Sequence, residues 1–99
     1  MATYPYATDY ETVAASQTDQ VLGPVGATGD ILEKLIVSVA TAATSTVSIK
    51  DGSGSAIVIT AANTPIGVYS VNIGARSTGG AWKVTTGAGA TVLAVGQFK

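Results

Sequence analysis

From Ile31 to Phe98 the chain is a series of short apolar runs in which every second side chain is apolar, and Gly, Ser, Thr, Ala, Asn and Asp separate one run from the next. A period of two is that of a strand with one face buried, and the small polar residues between runs are those that reverse a chain. Val47 and Ile49 alternate with Thr46, Ser48 and Lys50. Ile57 and Ile59 follow, then Tyr69, Val71 and Ile73, then Trp82 and Val84 against Lys83 and Thr85. The pattern predicts that these apolar side chains point inward. Trp82 is the single Trp; on a strand it is expected to anchor the core with its indole N–H bonded to backbone.

The runs at Thr46–Lys50 and Ala56–Thr60 flank Asp51-Gly52-Ser53-Gly54, which predicts a hairpin. Further strands are expected over Ser16–Leu22, Gly67–Ile73 and Thr91–Phe98. Ile31–Ala40 reads two ways. Asp30 could cap a helix carrying Ile31, Leu32, Leu35, Ile36 and Val39 at helical spacing. Leu35, Val37 and Val39 also alternate with Ile36, Ser38 and Ala40, and the strand is favoured because everything downstream is β. The sum is about seven or eight strands at roughly 8–12-residue spacing, the cadence of a sandwich or jelly roll. The fold class expected is all-β: a single antiparallel β-sandwich, jelly-roll-like, over residues 16–99, with an extended N-terminal arm over 1–15.

The 99 residues fit one domain. Charged residues make up 11%, against roughly 25% in ordinary soluble domains. A surface with so few charges is weakly defended against association, which favours assembly over a small monomer covered in Thr, Ser and Gly. With His and Cys both at 0, the usual base of a nucleophilic triad, the thiol nucleophiles and the usual zinc and copper ligands are missing. Asp9 with Glu11, or Asp30 with Glu33, are paired carboxylates without a setting that suggests a raised pKa. Gly23, Gly26 and Gly29 match neither a dinucleotide fingerprint nor a Walker loop, because no βαβ frame or Lys-Ser/Thr accompanies them. No catalytic residue, metal ligand or cofactor is expected. The net charge of −1 gives no nucleic-acid footprint, and no run reaches the length of a membrane helix. The first residues lack the basic and apolar regions of a signal peptide.

Residues 1–33 carry Asp9, Glu11, Asp19, Asp30 and Glu33 without a basic side chain, and the remainder carries all five Lys and Arg with Asp51. The asymmetry suggests either attraction between one copy's N-terminal third and a neighbour's body or a solvated acidic start. Tyr4, Tyr6 and Tyr10 lie in a stretch with no sustained period. Tyr supplies large contact area at low entropy cost, so Tyr4, Tyr6, Asp9, Tyr10 and Glu11 are the candidate partner-binding residues of an arm that docks.

The runs GDILEKLIVSVATAATSTVSIKDGSGSAI, GVYSVNIGA and GAWKVTTGAGATVLAVGQF resemble the small head-decoration, or cement, proteins of tailed bacteriophages. The resemblance covers Gly29 to Phe98. It implies a non-enzymatic structural protein on the outer capsid surface of the virion, assembled in the host cytoplasm. It implies the major capsid protein as partner and self-association as a homotrimer, with a dimer as the second expectation. The competing expectation is a ligand- or receptor-binding module of a tail fibre or surface protein.

Overall fold

The computed structural model describes residues 9–23, 26 and 28–98. Tyr4 and Tyr6 lie outside the described residues. The chain is all-β, with eight strands: β1 (Asp9–Val13), β2 (Gln20–Val21), β3 (Ile31–Val39), β4 (Val47–Asp51), β5 (Ile57–Thr60), β6 (Gly67–Arg76), β7 (Trp82–Thr85) and β8 (Ala90–Gln97). They form two four-stranded antiparallel sheets, ordered β1-β8-β3-β6 and β2-β7-β4-β5. No helix occurs among the described residues, so Ile31–Ala40 takes the strand reading.

One apolar core joins the sheets. The first sheet contributes Val13, Leu32, Leu35, Val37, Val39, Ala90, Val92 and Ala94; Val47, Ile49, Trp82 and Val84 come from the second, with Leu22 beside β2. Both alternating runs at Val47/Ile49 and Trp82/Val84 point inward as expected. The Trp82 indole N–H donates to the Asp30 carbonyl at 3.0 Å. That bond removes the penalty of burying the ring's polar atom and ties β7 to the start of β3.

Leu32 and Leu35 are both buried although an odd number of positions separates them. The ladder explains this. Between Leu32 and Lys34 the β3–β8 register slips by one residue, so Glu33 is the extra residue of a bulge and stays exposed. The bulge turns both leucines inward. On the other side of β3 it is β6 that carries the excess, at Ile73 and Gly74, and Gly74 sits at φ +63°, where glycine has no Cβ penalty.

Three expectations are corrected. The arm assigned to 1–15 is sheet from Asp9 onward: β1 pairs with β8 from Asp9↔Gly96 to Val13↔Val92, and Val13 is fully buried. Its apolar end residue reaches the core, and the rest of the strand is carried by backbone pairing, which leaves little periodicity in the sequence. The first strand expected over Ser16–Leu22 shrinks to Gln20–Val21, because Ser16 and Asp19 take positive φ of 62° and 49° and turn the chain. Ile57 stands opposite Ile49 on the core side of β4–β5, yet 51% of it is exposed. β5 is the outer strand of its sheet, and nothing in the described chain covers that end.

Candidate functional site

Three acidic side chains of the N-terminal third, Asp9, Glu11 and Asp19, bond to groups of the same chain. The Asp19 carboxylate lies 3.3 Å from the Lys50 ammonium and accepts the Thr85 hydroxyl at 3.1 Å. Lys50 and Lys83 stand directly opposite each other across β4 and β7, an arrangement of like charges that destabilises a ladder. Asp19 offsets it. Hydrogen bonding from Lys50, then from Thr85, with the fields of Lys50 and Lys83, holds its carboxyl below the usual carboxylate range.

Glu11 is used in the same way. One carboxylate oxygen accepts the Gln20 side-chain amide at 2.8 Å and the other accepts the Gly23 backbone N–H at 2.8 Å. On β1 its position pairs with Ala94, which places it on the inner side, where it straps the outer strand of one sheet to the outer strand of the other. Asp9 accepts the Phe98 N–H at 3.0 Å and fixes the end of β8. Of the candidate partner-binding residues within the described chain, Asp9 and Glu11 therefore serve the fold, and Tyr10 faces the other way. Tyr10 is 72% exposed.

The register places Tyr10 opposite Val95, and Lys34 beside Val95 on the next strand; Thr12 stands opposite Leu93, and Ile36 follows. Residues directly opposite across a ladder share a face. Tyr10, Ile36, Leu93 and Val95 thus form an apolar strip on the outer face of the first sheet, with Lys34 as its charged neighbour. Ile36, Leu93 and Val95 are half-buried by their neighbours alone. The apolar residues on both faces of β3 and β8, visible in the sequence as Ile36 next to Val37 and Val92 next to Leu93, have this strip as their outer half.

Asp51 follows a different logic. Its carboxylate accepts the backbone N–H groups of Thr78 and Gly79 at 3.0 and 2.9 Å and the Thr78 hydroxyl at 2.8 Å. It clasps the β6–β7 loop onto the β4–β5 turn. These bonds, led by the Gly79 N–H and then the Thr78 hydroxyl, hold the carboxyl below its usual range. Gly52 beside it sits at φ +60°, and a Cβ there would run into the Gly79 carbonyl.

A cleft of about 300 Å³ opens at the end of the first sheet, bordered by Asp9, Asp30, Arg76 and Phe98 among others. Arg76 donates to the Gly29 carbonyl at 3.3 Å. Among the described residues no group of three or more His, Cys, Asp or Glu could hold a metal ion, and no helix is long and apolar enough to cross a membrane. The chain matches no family model, no curated protein and no solved structure.

Proposed function

We propose that this chain is a non-enzymatic structural module, a capsid decoration protein of a tailed bacteriophage, which binds the outside of the shell across subunit boundaries and associates with copies of itself. The observation that carries the reading is the outer apolar strip of the first sheet. Tyr10 projects from it into solvent while its neighbours Asp9 and Glu11 are turned to internal work. A rigid sheet face with one large aromatic and little charge suits docking on another protein surface, since rigid aromatics lose little entropy on binding. The strand order supports reading the two sheets as a jelly roll, in which consecutive strands alternate between sheets along much of the chain. The sequence likeness to decoration proteins points the same way. Many modest contacts on symmetric copies add through avidity, so no deep pocket is required.

The test is occupancy. Purified protein is added at limiting concentration to tailed-phage heads stripped of their decoration, and bound copies are counted on sedimented particles. The reading expects saturable binding and a loss of at least tenfold in occupancy for Tyr10→Ala, with an unchanged β circular dichroism spectrum. Full occupancy by Tyr10→Ala removes the strip from the mechanism. Absence of any binding to heads from the source of the gene removes the capsid reading. The cleft at Asp30 and Arg76 favours the second reading, a ligand- or receptor-binding module of a tail fibre; retention of the protein on purified tails with none on heads selects it.

A further inference from the structure

The side of the molecule formed by β5 and β6 is unfinished. β6 is an outer strand, and among the described residues no strand pairs with its free edge. It runs for ten residues, contains no Pro or Lys, and carries one charge, Arg76, at its end. Free edges of soluble proteins are ordinarily short, bulged or charged; here the bulge at Gly74 lies near one end and leaves the remainder regular. The core seam beneath is open as well. Ile57 faces the core side yet is half exposed, and Ile59, Tyr69 and Ile73 are only partly buried. Val58, Ile66 and Val68 expose 60, 65 and 70% of their surfaces. The opposite side of the sandwich is closed: Val13 and Leu22 are fully buried there, and Glu11 straps β1 to β2.

We infer that a second copy of this chain covers this side, with β6 pairing antiparallel to the partner's β6 about a twofold axis perpendicular to the sheets. The free N–H and C=O groups of β6 are matched by another strand edge and by no other element. The surface around them is apolar, so the occupant is apolar too. A second copy is self-complementary in charge. With the axis at Val71 or Asn72 the exposed side chains stay on one face and the two Arg76 lie about 25 Å or more apart, whereas parallel pairing would stack them. The same axis carries Ile57 and Val58 toward their own counterparts and closes the seam. The area suffices. A ten-residue strand spans about 33 Å and a two-sheet edge is about 20 Å deep, which gives roughly 650 Å² per copy, close to the ~800 Å² per partner of stable interfaces.

This deepens the self-association in the reading above and rests on it only in taking the chain to assemble; a twofold pair stands where the sequence likeness implied a trimer. The chain contains no Cys, so single introduced thiols report the interface. Asn72→Cys and Ser70→Cys lie near the axis, and Thr12→Cys lies on the far edge. Under mild oxidation at high micromolar concentration, cross-linked dimer is expected from at least one of the first two and none from Thr12→Cys. Unmodified protein should sediment as a concentration-dependent dimer. Val68→Lys should raise the dissociation constant at least tenfold with its circular dichroism spectrum unchanged. A monomer at every concentration, a trimer without cross-linking at 70 or 72, or cross-linking only at 12 overturns the proposal. A monomer that still decorates phage heads overturns this proposal alone, and a dimer that never binds heads overturns only the capsid reading.

Discussion

Trp82 is the residue whose environment joins most of the fold. Its ring is buried between the sheets, it stands opposite Asp51 in the β4–β7 ladder, and its N–H holds the Asp30 carbonyl. Trp82→Ala is expected to cost about 3–5 kcal/mol of the roughly 5–15 kcal/mol available to a small domain, read as a lower midpoint in urea. Trp82→Phe keeps most of the apolar contact and removes one of two bonds to the Asp30 carbonyl, which the Ser77 N–H still holds, so its cost should be about 0.5–1.5 kcal/mol. Asp51 and Asp19 supply a pH dependence. Both carboxyls are held below their usual range in the folded chain, so each stabilises the fold above the pKa of the unfolded chain and loses that contribution as pH falls through the lower folded value. Melting temperature should fall as pH drops below about 4, and Asp51→Asn should fall less steeply over the same interval. Equal slopes would show that the clasp on Thr78 and Gly79 does not persist in solution. Gly52→Ala should lower stability by about 1 kcal/mol or more, since its backbone conformation and the nearby Gly79 carbonyl both resist a side chain.

At the scale of elements, the period-two runs were legible because each has a single buried face. Val47/Ile49 and Trp82/Val84 alternate without interruption and lie where the pattern puts them. The elements that resisted reading each break the period for a local reason. In β3 the bulge at Glu33 sets Leu32 and Leu35 three positions apart on one face, which is the spacing of a helix turn; the helical alternative arose from that bulge. In β1 only Val13 reaches the core, so DYETV offers no alternation to detect. Ser16 and Asp19 interrupt the next run with left-handed conformations, which Asp adopts more readily than most residues but which Ser does not announce. The site was less legible than the fold. Residue type alone distinguishes Tyr10, but nothing in the sequence separates Glu11 and Asp9 from docking charges; their hydrogen bonds to Gln20, Gly23 and Phe98 do. Because β1 is sheet, deleting residues 2–13 should abolish a cooperative thermal transition, where an arm independent of the sandwich would be dispensable. Glu11→Ala should weaken the β1–β2 strap and lower the melting temperature without changing the β spectrum.

For the whole molecule, the distribution of finished and unfinished surface matters more than any single group. One side of the sandwich is sealed by buried Val13 and Leu22 and by side-chain bonds between the sheets; the other ends in a long strand whose one charge is Arg76 at its end, over a seam of half-buried Ile59, Tyr69 and Ile73. Under the proposed pairing, a chain with so few charges gains stability and solubility together by covering that side, and the outer strip with Tyr10 is left for the proposed further partner. On the proposals above, this chain is a part built to be assembled. Amide hydrogen exchange measured strand by strand, at low and at high protein concentration, tests that claim most directly. The central strands β3 and β8 should be protected at both concentrations, and the outward amides of β6 should exchange quickly when dilute and gain protection as concentration rises. Rapid exchange in β6 at every concentration, or a concentration-dependent gain in β1 in its place, would contradict it.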